Sequence, residues 1–322
     1  MKVLVTGGTG FVGREIVRQL HDAGYQARVL ARSANSPGAV QLRERYRVEV
    51  RACNVLDAAA LPKAMLGTDA VIHLVGIISE FGDQTFENVH TRATENMVRS
   101  AIAAGVNRVL HISALGTRAN AVSRYHQTKW AAEQAICRSR LEWTIFRPSL
   151  IYGPGDQFVN LFAQLAGRSP VLPLLARNDA LFQPVSVEDV AQCFVRALTE
   201  PHSIRETLDI CGPDRLTLEE ILQAILAATG RKRRLVHVPL DLAKTLAWMM
   251  EIVYSRFLKQ APPLNRDQVL MLQEDSVGES EWTREMFKLE HVRFAEGIAR
   301  YLDPDVTRRS SIKDPVSAGL IR

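Results

Sequence analysis

The sequence of 322 residues predicts an α/β protein built on a doubly wound parallel sheet. Two patterns carry this prediction. Residues 2–5 predict a short buried strand, because three apolar residues follow Lys2. Glycines come next at intervals of three residues, and apolar residues then recur at helical spacing. Beyond this start, apolar runs of strand length alternate with helical patterns as far as strand six, as in parallel strands joined by crossover helices.

The glycine-rich start is typical of a turn that holds a dinucleotide. Gly7 permits the tight turn, Gly10 lets the backbone approach a pyrophosphate, and Gly13 lets the helix pack closely on the strand. The helix N-terminus offers free N–H groups to the phosphates. An ordinary glycine-rich loop is the alternative, which the flanking strand and helix disfavour. The residues expected to contact the cofactor here are Gly7, Thr9, Gly10, Phe11, Val12 and Gly13.

The next elements follow the same alternation. Strands are predicted at residues 26–30, 48–51, 70–75, 109–112 and 143–146. A long helix is predicted over residues 87–104 and ends at Gly105. After the third strand, Asp57 is predicted to cap a short helix, and Asn54 and Val55 are placed to meet the adenine.

The residues after the second strand bear on the choice of cofactor. An acidic residue there would bind the ribose 2′-hydroxyl of NAD, whereas a basic residue favours the 2′-phosphate of NADP. The sequence has no acid at this point, and Arg32 offers a planar guanidinium with Ser33 beside it. We therefore favour NADP(H), with NAD(H) as the alternative. The competing interpretation of Arg32 is an ordinary solvated loop residue.

A tyrosine and a lysine follow the fifth predicted strand at a spacing that suits proton transfer. Tyr125 and Lys129 are four residues apart, so they share one face of a helix. A nearby ammonium favours phenolate, and Lys129 is therefore expected to lower the pKa of Tyr125 and to hold the nicotinamide ribose. The pair could move a proton at a substrate oxygen while hydride moves at the nicotinamide. The pattern alone also fits a solvated helix face.

Open parallel sheets bind ligands at the carboxyl ends of their strands. The residues predicted at the ends of the fourth and fifth strands are Leu74, Val75, Gly76, Ile112 and Ser113. We assign the first three and Ile112 to the cofactor. Ser113 is the candidate to orient a substrate carbonyl.

The glycine turn at 6–13 together with Tyr125 and Lys129 resembles the extended form of the short-chain dehydrogenase/reductase superfamily. More narrowly, residues 109–116, 146–156 and 182–190 resemble an atypical, epimerase/dehydratase-like branch. That branch includes proteins similar to the NADPH-binding accessory subunit of respiratory complex I, and relatives associated with quinone biosynthesis and photosystem assembly. The resemblance implies that Pro148 and Leu150 line the nicotinamide side.

One position departs from the family pattern. The family's catalytic hydroxyl is usually the second member of a Ser-Ser or Ser-Thr pair, and here Ser113 is followed by Ala114. Ser113, or Ser123, would have to replace it in a different geometry. The intact Tyr125 and Lys129 favour an oxidoreductase or an epimerase/dehydratase-like enzyme. Ala114 favours the alternative, a non-catalytic NADPH-binding structural or assembly factor for a respiratory or quinone-biosynthetic complex.

The pattern becomes irregular after residues 153–156. We expect a Rossmann domain at 1–155, with its sheet completed by later segments, a smaller, mostly helical substrate or partner region at 156–302, and a mobile tail at 303–322. Residues 239–258 predict a helix whose apolar side chains cover more than one stripe. Such a helix either lines the substrate pocket or meets a lipid, a quinone or a protein partner. The basic run at 231–234 lies just upstream.

Charge and cysteine content bear on the partners, metal sites and cellular location that the protein can have. The net charge is +5, with local basic runs but no nucleic-acid motif, so no nucleic-acid partner is expected. The cysteines lie far apart without a CxxC pair, which argues against disulfides and zinc and suits a reducing compartment. No metal site is predicted from the histidines. No signal peptide or membrane-spanning segment is recognised, so we expect a cytoplasmic protein. The alternative is a protein that binds peripherally at the inner face of a membrane.

Overall fold

The computed structural model describes residues 1–302, so the tail predicted at 303–322 lies outside the described residues. Its centre is a seven-stranded sheet in which every pairing is parallel. The strands are β1 (Lys2–Thr6), β2 (Gln26–Ala31), β3 (Glu49–Ala52), β4 (Ala70–His73), β5 (Arg108–Ile112), β6 (Glu142–Pro148) and β7 (Glu206–Ile210). Their order is β7-β6-β5-β4-β1-β2-β3. The predicted doubly wound parallel fold is confirmed.

The helices cover both faces of the sheet and build the C-terminal region. They are α1 (Phe11–Asp22), α2 (Pro37–Tyr46), α3 (Leu61–Met65), α4 (Ala93–Ala103), α5 (Arg124–Cys137), α6 (Val159–Arg168), α7 (Val187–Ala197), α8 (Leu218–Ala228), α9 (Leu240–Ile252), α10 (Arg266–Met271), α11 (Glu281–Met286) and α12 (Phe294–Leu302). A π-helical turn, Glu87–Arg92, leads into α4, and another, Val253–Leu258, continues α9. A short 3₁₀ helix spans Pro201–Ser203.

The chain order of the strands reverses at β1, which lies between β4 and β2. Side chains of β1 are buried on both faces: Val3 and Val5 join one core cluster and Leu4 joins the other. This explains why the strand is a continuous apolar run rather than an alternating one. The reversal leaves a crevice at the carboxyl ends of β1 and β4, where such sheets bind nucleotides.

The C-terminal region has its own apolar cluster, formed mainly by α6, α8 and α12. It also contains short strand pairs that the sequence analysis did not predict. Ile151–Tyr152 pairs with Val185–Ser186, Val171–Leu174 with Arg234–His237, and Leu181–Phe182 with Leu216–Thr217. Helix α7 packs back against α1, and β7 joins the edge of the main sheet beside β6.

Several local predictions differ in detail from the structure. The helix predicted over 87–104 begins as a π-helical turn. Asp57 does not cap α3 itself, because its carboxylate accepts hydrogen bonds from the N–H groups of Ala59 and Ala60, in the turn before the helix. Helices α2 and α11 were not predicted at all. Helix α2 buries only two apolar side chains, Ala39 and Leu42, so its sequence has little helical periodicity.

Candidate functional site

The glycine turn between β1 and α1 is packed against the end of β4. Gly7 has a φ of +72°, and a Cβ atom on it would lie 3.1 Å from the carbonyl carbon of Leu74. A Cβ atom on Gly13 would lie 2.3 Å from the carbonyl oxygen of Gly7, which no side chain can tolerate. Gly10 caps α1 without a side-chain hydrogen bond. The first N–H groups of α1, at Phe11 and Val12, therefore border the crevice.

The residues predicted to meet the adenine ribose follow β2 and β3. Arg32 and Ser33 are exposed directly after β2, and within residues 1–302 the Arg32 guanidinium has no ion-pair partner. Ser33 Oγ accepts a hydrogen bond from the N–H of Asn35 at 3.3 Å. Asn54 is exposed after β3, and its Oδ1 accepts the N–H of Leu56 at 3.0 Å, which fixes this loop. Thr9, in the glycine turn, lies against α2.

Lys129 lies between the ends of β4 and β5. Its side chain is only 3% exposed, and Nζ donates a hydrogen bond to the carbonyl oxygen of Ile112 at 3.0 Å. A Cβ atom on Gly76 would lie 3.2 Å from the same Nζ. The Lys129 ammonium is therefore held at the carboxyl edge of the sheet, close to the residues predicted to contact the cofactor. Pro148 ends β6, and Leu150 follows it at this same edge.

Tyr125 lies one turn before Lys129 on α5, inside an aromatic cluster. Its ring makes edge contacts with Phe86, His90 and His126 at centroid distances of 5.2–5.9 Å. Burial raises the pKa of Tyr125 to about 12 and lowers the pKa of Lys129 to about 8. The shift of the Tyr125 pKa is opposite to the one expected from Lys129. Desolvation disfavours the charged forms of both side chains, and it is the cause of the shift at Tyr125.

Buried histidines surround the Lys129 ammonium. Burial, followed by the charge of Lys129, lowers the pKa of His73 to about 3 and that of His90 to about 2, so both rings are neutral. His90 pairs with Thr128 Oγ1 at 2.9 Å and with the carbonyl oxygen of Ile77 at 3.1 Å. The position of these histidines beside Lys129 was not predicted from the sequence.

The hydroxyl groups near the site are arranged differently from the family pattern. Ser113 is buried after β5, and its Oγ donates a hydrogen bond to Thr117 Oγ1 at 3.4 Å. Thr117 was not among the predicted site residues. Ser123 is already engaged, because its Oγ caps α5 by accepting the N–H of His126 at 3.2 Å. Ser113 and Thr117 are therefore the pair that could replace the hydroxyl lost at Ala114.

Residues 262–280, which we call the C-terminal strap, cross this edge of the sheet. Asn265 Nδ2 donates to the carbonyl oxygen of Ile78 at 2.6 Å, in the loop after β4. Asp267 accepts the N–H of Arg124 at 2.6 Å, beside Tyr125. Further ties join Glu274 to Arg118, and the carbonyl oxygen of Ser276 to the Ser149 hydroxyl. The strap thus covers the loops that carry the candidate site.

Within residues 1–302, no group of three or more His, Cys, Asp or Glu side chains could hold a metal ion. Among the same residues, no helix has both the length and the apolar character needed to cross a membrane.

Comparison with known proteins agrees with this geometry. A family model described as NAD(P)H-binding matches residues 7–201. The chain is 30% identical over 280 residues to the Arabidopsis thaliana protein "NADH dehydrogenase [ubiquinone] 1 alpha subcomplex subunit 9, mitochondrial", covering 85% of this chain and 70% of that protein. It is 34% identical over 238 residues to the ceramide reductase of Caulobacter vibrioides, covering 74% of this chain and 73% of that protein.

Solved structures support the fold. The UDP-glucose 4-epimerase of Thermotoga maritima superposes with a TM-score of 0.73 at 19% identity, covering 96% of this chain and 99% of that one. The relatives named here give no support to the link with quinone biosynthesis, which we do not propose further. The resemblance to the complex I accessory subunit is confirmed. The chain shares the fold of this epimerase, and the family model that matches residues 7–201 shows that it belongs to the NAD(P)H-binding family.

Proposed function

We propose that this protein is an NADP(H)-dependent oxidoreductase that transfers hydride between the nicotinamide and a carbonyl or hydroxyl carbon of an apolar substrate. One observation carries the proposal. Tyr125 and Lys129 lie one turn apart on α5 at the carboxyl edge of the sheet, with Lys129 bonded to the end of β5 and close to Gly76. This edge is where nucleotide-binding sheets hold their cofactor.

The roles of the chain's own groups follow from their ionisation. A bound nicotinamide supplies or accepts the hydride. With a pKa of about 12, Tyr125 is protonated at neutral pH and suited to donate its proton to a substrate carbonyl oxygen. Lys129, with a pKa of about 8, remains mostly charged and can bind ribose hydroxyls and stabilise the phenolate left behind. Ser113 and Thr117 would orient the carbonyl.

The proposed substrate is a long-chain lipid carbonyl. The Caulobacter vibrioides relative is named a ceramide reductase, and it matches about three quarters of this chain. The exposed apolar side chains of α9 supply a surface that suits such a molecule better than a sugar nucleotide. NADPH should be oxidised by long-chain ketones, and Tyr125→Phe should abolish this activity. Tyr46→Phe, at the far end of α2, is the matched control and should leave the activity intact.

The preference for NADP(H) is part of the proposal. Arg32 is exposed after β2 and free to meet a 2′-phosphate. NADPH should bind more tightly than NADH by fluorescence titration, and Arg32→Ala should erase that difference. Arg43→Ala, another exposed arginine on nearby α2, should preserve it. An unchanged preference in Arg32→Ala would remove the support for NADP(H).

A second candidate is a non-catalytic protein in which NADPH is a structural element. Ala114, in place of the usual hydroxyl, favours it, and so does the similarity to a protein named as a subunit of NADH dehydrogenase. Bound NADPH that stays reduced against a broad panel of ketones and aldehydes, equally in the native protein and in Tyr125→Phe, would favour this candidate over the enzyme.

Peripheral contact with a membrane surface or a membrane-protein complex, through residues 239–258 and at the inner face of a membrane, belongs to the same proposal. The exposed apolar side chains of this segment support it. So does the similarity to the NADH dehydrogenase subunit.

A further inference from the structure

The outer side of α9 and of the π-helical turn that continues it is unusually apolar for an exposed surface. Ten large apolar side chains between residues 240 and 258 are each at least 36% exposed. Leu242, Leu246, Met249 and Val253 recur at intervals of three or four residues, so they form one stripe along the helix. A contiguous stripe of this kind marks an interaction surface rather than a core.

The inner side of α9 is occupied. Ala243 and Ala247 are fully buried there, and they pack with Val269 of α10 in a small apolar cluster. The small alanines let the two helices approach closely, while the bulky residues point away. The apolar stripe of helix α9 therefore lies outside this buried cluster.

Charge decides what kind of surface α9 meets. Residues 231–259 contain seven Lys and Arg residues against two Asp and Glu residues. Arg231 and Arg233 bond to carbonyl oxygens of α6, and the acidic Glu251 is paired with Arg266. Four cationic side chains in the segments before and after α9 are exposed and have no carbonyl partner of this kind: Lys232, Arg234, Arg256 and Lys259. Apolar residues rimmed by exposed cations are the pattern of a helix that lies on an anionic lipid surface.

We infer that the outer face of α9 lies on an anionic lipid bilayer and that α10 transmits this contact to the candidate active site. The inference rests on the proposed function and names the partner and the regulation of that same site. The surface of a bilayer would also hold a long-chain lipid substrate next to the protein.

The connection between the two sites is continuous in the structure. Glu251, near the end of α9, accepts hydrogen bonds from the N–H of Arg266 at 2.8 Å and from its Nε at 2.9 Å. On either side of Arg266, Asn265 bonds to the loop after β4 and Asp267 bonds to the N–H of Arg124. A change in the position of α9 must therefore move or break the ties of the C-terminal strap beside Tyr125.

The first experiment measures binding of the full chain to vesicles by flotation. Vesicles of phosphatidylcholine with about 30% phosphatidylglycerol should bind the protein, whereas pure phosphatidylcholine vesicles should bind it at least about tenfold more weakly. The double variant Met249→Gln/Val253→Gln should lose at least about tenfold in affinity for the anionic vesicles. Trp282→Gln replaces an apolar side chain of α11, outside this surface, that is also about half exposed, and it should bind normally.

Other occupants of the stripe give different results. Equal binding of the double variant and the native protein to anionic vesicles would overturn the inference. Absence of vesicle binding, combined with a dimer that the double variant converts to a monomer on size exclusion, would assign the stripe to a second copy of the chain. A stripe covered by residues 303–322 would show as vesicle binding that appears only after those residues are removed, which also contradicts the inference for the full chain.

The second experiment tests the transmission. Amide hydrogen exchange in residues 262–280 should become faster when anionic vesicles are added, and the double variant should show no change. Unaltered exchange in vesicle-bound protein would reject transmission through α10. NADPH affinity without vesicles should be the same in the double variant and the native protein. Loss of NADPH binding or of ketone reduction in the native protein would instead count against the proposed function.

Discussion

Burial acts on single residues of the candidate site in a way that the sequence pattern hides. Tyr125 and Lys129 are usually considered as an ion-pairing couple, yet Lys129 is buried and Tyr125 is half-buried. Burial raises the pKa of the phenol and lowers that of the ammonium, so both neutral forms are favoured before a ligand arrives. The site thus carries a cost in stability that binding of a nucleotide could offset.

Burial of the Lys129 ammonium lowers the free energy of unfolding by an amount that can be measured. Burial lowers its pKa to about 8, from 10.5 in the unfolded chain. Between these values the unfolded chain holds a proton that the folded chain lacks, so the contribution of Lys129 to the free energy of unfolding rises with pH in this window. Lys129→Met should raise the free energy of unfolding at pH 7 by up to roughly 3 kcal/mol, less the lost hydrogen bond to Ile112.

Urea unfolding at several pH values checks this prediction. The advantage of Lys129→Met should shrink as the pH rises from about 8 to about 10.5, while NADPH affinity should fall at every pH. Lys63→Met, an exposed lysine of α3, should change the free energy of unfolding by less than about 0.5 kcal/mol without pH dependence. A Lys129→Met variant that is less stable than the native protein at pH 7 would contradict the direction of the cost.

At the scale of elements, α5 matters because it carries both Tyr125 and Lys129. Its N-terminus is fixed by Ser123, whose Oγ accepts the N–H of His126 at 3.2 Å. Ser123→Ala should lower the free energy of unfolding by about 1 kcal/mol and weaken NADPH binding, because fraying of the first turn displaces the site. Urea unfolding and fluorescence titration measure the two effects.

Helix α8 provides the matched control for that prediction. Thr217 caps it in the same way, since its Oγ1 accepts the N–H of Glu220 at 3.3 Å. Thr217→Ala should cost a similar amount of stability, about 1 kcal/mol, and leave NADPH affinity unchanged. Equal effects of the two variants on NADPH affinity would mean that α5 has no special role in holding the site.

The elements that the sequence predicted are those with local signals. The strand, the glycine turn and α1 were predictable because each depends on neighbouring residues. The two-residue strands of the C-terminal region carry no periodicity, so their pairing depends wholly on tertiary contacts. The contacts of the C-terminal strap could not be predicted either, because they join residues far apart in the chain: Asn265 and Ile78 are 187 residues apart.

Within the site, the glycines and the Tyr125–Lys129 spacing could be read from the sequence, whereas the shift of the Tyr125 pKa could not. Spacing on a helix shows which side chains share a face, but the degree of burial depends on what packs over that face. Here the covering groups are Phe86 and His90, from the turn before α4. Thr117 was not predicted as a site residue, because its contact with Ser113 depends on the conformation of the folded chain.

At the scale of the whole molecule, distant segments share one core. Phe146 of β6 and Phe194 of α7 have ring centroids 4.6 Å apart, and Phe287, just after α11, lies 5.8 Å from Phe146. All three side chains are fully buried. The C-terminal region therefore contributes to the packing of the nucleotide-binding sheet. A boundary near residue 155 remains a prediction, and unfolding can test whether the two parts are energetically separate.

Because of this shared core, we expect one cooperative unfolding transition rather than two. Phe287→Ala should lower the free energy of unfolding by about 3–5 kcal/mol, since it leaves a cavity against β6 and α7. The loss should be equal for the two regions when amide hydrogen exchange is followed in α1 and in α8. Trp282→Ala, five residues earlier and half exposed, should have a much smaller effect. If α8 lost protection in Phe287→Ala while α1 kept it, the regions would be independent domains, and the strap would cross a boundary between them.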